Sequence, residues 1–105
     1  MIDTVSTTLP VLIVDDEPQV LRSIDMLLRS SGIDPVLAVD DSRKVIPLLA
    51  RQSVAAILLD LSMPHISGEE LLDNITTEYP DIPIIIITAT NDLDTAVKCV
   101  RIGAF

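Results

Sequence analysis

The sequence predicts an α/β protein: a parallel sheet with helices wound on both faces. Three observations carry that expectation. Aliphatic runs recur at residues 11–15, 35–39, 54–59 and 82–87. The stretches between them return apolar residues every three or four positions, the helical period. The runs show little polar alternation, as strands buried on both faces do, and the order strand then helix repeats along the chain.

Each element follows from its own residues. Residues 11–15 (VLIVD) read as the first strand, aliphatic until its last position. Pro18 can open the next helix, because a first-turn residue needs no N–H partner. Val20, Leu21, Ile24, Leu27 and Leu28 are expected on its inner face, and Ser31-Gly32 ends it. Residues 35–39 (PVLAV) read as the second strand. Asp40 or Asp41 then caps a helix to about Arg51, with Val45, Ile46, Leu48 and Leu49 inward. Pro47 lies inside that helix and is expected to kink or shorten it. Residues 54–59 (VAAILL) form the third strand, ending at Asp60. After the loop LSMPHIS, Ser67 and Glu70 have capping-box spacing, and Leu71, Leu72 and Ile75 face inward. Tyr79-Pro80-Asp81 is a turn, and residues 82–87 (IPIIII) form a fourth strand ending at Thr88. Asn91 caps a fourth helix with Leu93, Ala96, Val97 and Val100 inward, and Gly103 stops it.

The composition narrows the function. A chain of 105 residues, 49% hydrophobic, suits one domain whose core needs no disulfide or structural metal. Residues 1–9 read as a polar lead-in and 10–105 as a single unit without repeats or linkers. The only aromatics are Tyr79 and Phe105, so single-stranded nucleic acid would find no stacking platform. A net charge of -9 argues against direct nucleic-acid binding and fits a cation or a basic partner surface. Cys99 is the one cysteine, which excludes a disulfide framework and reads as a small buried hydrophobe. No aliphatic run approaches the roughly 18 residues of a membrane span, and the N-terminus lacks a signal pattern. The expected location is cytoplasmic, with no membrane partner.

Ligands of parallel sheets collect at the carboxyl ends of the strands. There the sequence puts Asp15 and Asp16 on the first strand, Asp60 on the third and Thr88 on the fourth. Any one of these has an ordinary reading as a strand end or a helix cap. Together they point to a shared site. Three carboxylates within a few ångströms need a counter-charge. Hard oxygen donors without His or Cys suit Mg²⁺ or Mn²⁺ rather than zinc. Such a site can present a phosphoryl group to a carboxylate nucleophile, and the Thr88 hydroxyl could hold a phosphoryl oxygen.

The segments VLIVDDEP, LLDLSMPHISGEELL and IPIIIITA, in that order and spacing, resemble the receiver domain of two-component response regulators. The resemblance runs from about Val11 to Phe105. It implies a flavodoxin-like doubly wound sheet of order 2-1-3-4 for the strands present. It implies that Asp60 is the phosphoacceptor, with Asp16 and Asp60 binding Mg²⁺ directly and Asp15 acting through water. The backbone carbonyl of Ser62 would complete the protein's share of the ligands. Thr88 would be the switch hydroxyl, and a small Ala89 would leave Asp60 accessible. Ser62 and Thr90 would tune the lifetime of the aspartyl-phosphate. Met63 and Pro64 would shape the loop beneath Asp60, and Gly68 would allow its tight turn. The implied partners are a sensor histidine kinase or phosphotransfer protein and an output domain, in style a transcriptional one. The implied chemistry is signalling, with only intrinsic Mg-dependent self-phosphorylation and self-hydrolysis.

The pattern also departs from the family. Receivers carry a fifth strand ending in a phosphate-contacting Lys, usually with an aromatic switch residue, and then a last helix. This sequence stops at Phe105, and Lys98 falls in the fourth helix, where it reads as a solvated charge. The expectation is a chain truncated before the fifth strand, with weakened phosphotransfer. Its fourth strand would then be an exposed edge prone to dimerisation or segment swap.

Other classes fit less well. A phosphatase or mutase with an aspartyl nucleophile wants its two acids two apart on the first strand, whereas Asp15 and Asp16 are adjacent. A flavin site wants a Ser/Thr/Gly-rich phosphate loop and aromatic partners. The alternative kept open is a non-phosphorylated protein-interaction module, a degenerate receiver. His65, Asp40, Arg22 and Arg29 read as a loop surface residue, a cap and solvated charges.

Overall fold

The computed structural model describes residues 9–61 and 63–87. Expectations for Ser62, Thr88, Ala89, Thr90, Lys98, Cys99 and the fourth helix lie outside them. The described elements are β1 (Val11–Val14), α1 (Pro18–Ser30), β2 (Val36–Val39), α2 (Val45–Leu49), β3 (Ala56–Leu59), α3 (Gly68–Glu78) and β4 (Ile84–Ile86). The sheet is parallel throughout, in the order β2-β1-β3-β4. This is the parallel sheet read from the sequence pattern, in the strand order that the resemblance implies.

Alternation along the strands sorts the aliphatic residues to two faces. Leu12, Val14, Ile57, Leu59 and Ile84 point to one face, where Val45 and Leu49 of α2 and Leu71, Leu72 and Ile75 of α3 cover them. Ile13, Val36 and Leu58 point to the other, where Leu21 of α1 packs with Ile24 and Leu28. A strand with a core on each side has no solvent face to make polar, hence the unbroken runs. Leu71, Leu72 and Ile75 are 0% exposed, as their spacing predicts. Cutting any one of them back to Ala costs about 2–5 kcal/mol. Ile85 is 43% exposed. It shares a face with α1, but α1 packs on β1 and β2, away from β4.

Helix α1 begins with Pro18 in its first turn and ends where Gly32, at φ 88, closes back through its N–H to the Arg29 carbonyl at 3.0 Å. Leu27 corrects the expected inner face, being 64% exposed. At 3.6 residues per turn, Leu21, Ile24 and Leu28 define the packed stripe, and Leu27 lies roughly 90° around from it. Arg29 is solvated as expected and pairs with Asp25 at 2.6 Å and Asp34 at 3.0 Å.

The second helix is much shorter than a span to Arg51. A 3-10 turn over Ser42–Lys44 leads into the five residues of α2. Pro47 has no N–H to give the carbonyl four residues back, so the α-helical ladder cannot extend through the preceding turn. Asp41 rather than Asp40 is the cap, accepting from the Arg43 N–H at 2.9 Å. Strands β3 and β4 are also shorter than the runs that predict them, starting at Ala56 and Ile84. Val54 is nevertheless buried, and the Ala55 N–H reaches the Pro10 carbonyl at 2.8 Å.

Candidate functional site

The register of the sheet builds the site. Val14 of β1 stands opposite Val39 of β2 and Leu59 of β3. The ladder continues one residue further: the Asp15 N–H donates to the Val39 carbonyl at 3.1 Å, and the Asp60 N–H to the Val14 carbonyl at 2.9 Å. Asp15 and Asp60 therefore leave the carboxyl edge side by side, with Asp16 next along the chain. One carboxylate oxygen from each of Asp15, Asp16 and Asp60 lies within 4.8 Å of the others. Asp15 is 6% and Asp60 9% exposed, and Asp16 is half-buried. The Glu17 N–H donates to Asp15 Oδ1 at 2.9 Å, which orients that carboxylate.

Clustered, water-poor carboxylates repel unless a cation joins them. Their donor set is oxygen only, and among the described residues no His or Cys shares it. It fits a hard divalent cation such as Mg²⁺ or Mn²⁺. Of the sequence-predicted site residues, the structure thus brings together Asp15, Asp16 and Asp60. Ser62, Thr88, Ala89 and Thr90 lie outside the described residues.

The loop after Asp60 is tied at both ends of its span. Gly68, at the start of α3, donates its N–H to the Leu61 carbonyl at 3.3 Å. A Cβ on Gly68 would meet the Leu61 Cα at 2.4 Å and the Asp60 carbonyl oxygen at 2.8 Å. Backbone therefore packs where a side chain would stand, so glycine is needed for the close approach at the start of α3, and its φ is not positive. Ser67 caps α3 by accepting from the Glu70 N–H at 3.1 Å, as the capping-box spacing predicts. Met63 and Ile66 pack against the core under α2 and α3. His65 is exposed, as expected of a loop residue, but stands at φ 70, a conformation that favours glycine.

Sequence reasoning missed Ser42. It is 1% exposed, and its hydroxyl donates to the Pro64 carbonyl at 3.1 Å and accepts from the Ile66 N–H at 3.2 Å. A signal was available: Ser42, Val45 and Leu49 share helical spacing, so the serine is in phase with buried residues. Nearby, Arg43 Nη2 and Nε reach the Asp41 carboxylate at 2.8 and 3.0 Å. Hydrogen bonding from the Arg43 side chain, then from its N–H, holds the Asp41 carboxyl well below the usual carboxylate range.

No helix among the described residues is long and apolar enough to cross a membrane. A family model described as the response regulator receiver domain matches residues 11–105. Response regulator protein FleR of Pseudomonas aeruginosa is 35% identical over 94 residues, covering 90% of this chain and 20% of its own length. Response regulator protein PilR of the same species is 36% identical over 96 residues, 90% of this chain and 21% of its own. The DNA-binding transcriptional regulator NtrC of Salmonella typhimurium is 33% identical over 95 residues, again 90% and 20%. The chain thus spans about a fifth of the length of these relatives. Among solved structures, a response regulator receiver protein from Pseudomonas putida superposes with TM-score 0.85 at 27% identity, over 92% of this chain and 81% of that one. The isolated receiver domain of RcsB from Salmonella enterica, solved with the phosphomimetic BeF3-, gives TM-score 0.84 at 27% identity, over 92% and 73%. With its motif segments and sheet order matched across nearly its whole length, the chain belongs to the response regulator receiver domain family.

Proposed function

We propose that this chain is a phosphoacceptor module that takes a phosphoryl group on Asp60 from the phosphohistidine of a sensor kinase or phosphotransfer protein. The observation that carries the reading is the meeting of Asp15, Asp16 and Asp60 within 4.8 Å at the carboxyl edge of the sheet. Receiver domains are signalling modules rather than classical enzymes, and the chemistry asked of this one is a single transfer. An Asp60 carboxylate oxygen attacks phosphorus, an O–P bond forms, the donor's N–P bond breaks, and its electron pair returns to the imidazole nitrogen. The receiver's part is position and charge, because phosphoryl transfer leaves little covalent work to the protein.

Asp16 and Asp60 would hold Mg²⁺ directly, Asp15 through water, and Ser62 through its carbonyl. The bound cation supplies the positive charge that offsets the carboxylates and the incoming phosphoryl oxygens. Thr88 would then turn toward a phosphoryl oxygen and Ala89 would leave room for it, while Ser62 and Thr90 set how long the acyl phosphate survives. Slow self-phosphorylation by small phosphodonors and slow self-hydrolysis would be its only intrinsic reactions. Residues 10–105 would act as one receiver behind the lead-in of residues 1–9. We place it in the cytoplasm, coupled to an output domain that the likeness to NtrC suggests is transcriptional.

The test is beryllofluoride binding followed by ¹⁹F NMR. Binding that needs Mg²⁺ and disappears in Asp60→Asn is expected. A protein that takes up neither Mg²⁺ nor beryllofluoride would instead be a non-phosphorylated interaction module.

A further inference from the structure

Among the described residues the buried polar side chains are Asp15, Asp60 and Ser42. Two belong to the acid cluster. The third lies on the far side of the loop that follows Asp60. Its hydroxyl spans the turn at His65, bonding the carbonyl before it and the amide after it. A buried hydroxyl that makes both its bonds to one turn fixes that turn firmly, because losing either leaves a buried polar group unsatisfied.

The clamp reaches both sides of the site. Ser42 follows β2 by three residues, and the Val39 carbonyl that ends β2 accepts the Asp15 N–H. The loop that Ser42 grips begins directly after Asp60 and returns to Leu61 through Gly68. One hydroxyl therefore joins the chain leaving β2 to the chain leaving β3; Asp60 opens the second of these, and Asp15, at the end of β1, is bonded through its N–H to the residue that ends β2.

We propose that Ser42 is a positioning residue for the acid cluster. Its hydroxyl holds the loop after Asp60 so that the Asp60 carboxylate stays within ligand distance of Asp15 and Asp16. The assignment rests on the reading of that cluster as a divalent-cation site. Outer groups that orient metal ligands typically carry 10- to 100-fold of the affinity. Ser42 acts through backbone rather than on a ligand side chain, so the lower end applies.

The experiment is calorimetric Mg²⁺ titration of the protein and of Ser42→Ala, Ser42→Thr and Ile75→Val. Thermal melts without metal and amide exchange at Ile66 are followed in parallel. Ser42→Ala is expected to bind Mg²⁺ about tenfold more weakly, with faster exchange at Ile66. Ser42→Thr, which keeps the hydroxyl, recovers most of the affinity. Ile75→Val, remote from the site, lowers the melting temperature and leaves affinity unchanged. If Ser42→Ala fails to fold, Ser42→Cys, similar in shape but a poor hydrogen-bonding group, takes its place with the same expectation. Unchanged affinity in Ser42→Ala despite faster exchange at Ile66, or Ser42→Thr as weak as Ser42→Ala, would overturn the assignment. A wild-type protein that binds no Mg²⁺ would overturn the cation site itself, and the Ser42 assignment with it.

Discussion

The amide of Asp60 donates to the carbonyl of Val14 at 2.9 Å, one step past the last paired residues of β1 and β3. That bond brings the main chain of the phosphoacceptor candidate beside the acid pair. The three carboxylates share one edge of the sheet, and their mutual repulsion is built into the folded state.

Relief of that repulsion is the first prediction. Unit charges 4 Å apart repel by about 1 kcal/mol at the dielectric of water and by more in a partly buried site. Asp16→Asn is therefore expected to stabilise the metal-free protein by about 1 kcal/mol, a rise of roughly 4–8 °C in melting temperature for a domain this size. The same change should abolish Mg²⁺-dependent stabilisation. Thermal melts with and without Mg²⁺ check both. A destabilised, still metal-responsive Asp16→Asn would contradict the cluster.

Gly68 gives a second. The two atoms nearest its missing Cβ are backbone, Leu61 Cα at 2.4 Å and the Asp60 carbonyl oxygen at 2.8 Å, and cannot swing aside as the Leu61 Cδ2 at 2.9 Å can. Gly68→Ala should cost about 2 kcal/mol, more than the gain in helix propensity returns. Because the displaced atoms adjoin Asp60, it should weaken Mg²⁺ binding as well. Urea denaturation and calorimetry measure the two effects.

His65 gives a third, of opposite sign. A non-glycine residue at φ 70 carries roughly 1–2 kcal/mol of strain. His65→Gly removes it at the cost of about 0.5–1 kcal/mol of unfolded-chain entropy. A net gain of about 0.5 kcal/mol is expected. His65→Val, β-branched, should lose stability at the same position. Chemical denaturation of the two variants should move the midpoint in opposite directions.

The Asp41–Arg43 pair makes a pH prediction. The Asp41 carboxyl is lowered in the folded protein, so the unfolded chain binds its proton more readily. The pair's contribution to stability is whole above the ordinary carboxylate value of about 3.9 and is lost as pH falls through the lower folded value. In a pH titration by NMR, Asp41 should stay ionised below the ordinary carboxylate range, and Arg43→Ala should return it to that range.

Much of this architecture was legible in the chain. The unbroken runs announced strands with cores on both faces, and Leu71, Leu72 and Ile75 announced the inner stripe of α3. Asp15, Asp16 and Asp60 could be grouped because parallel strands send their carboxyl ends to one edge. What stayed hidden depends on tertiary distances. Leu27 is as apolar as Leu28, and only the phase set by Leu21 and Ile24 leaves it in water. Pro47 warned of a short helix but could not say that a 3-10 turn would precede it. The close approach of Gly68 to Leu61 and the two bonds of the Ser42 hydroxyl arise between segments distant in sequence, so local pattern carries little trace of them.

The most direct test of the central claim is chemical mapping of the modified residue. The protein is incubated with acetyl phosphate and Mg²⁺, the acyl phosphate is reduced with borohydride, and the peptides are sequenced by mass spectrometry. The account predicts homoserine at position 60 and nowhere else, and none when the cation is chelated. Reduction at another acid, or labelling of Asp60 that ignores Mg²⁺, would contradict it.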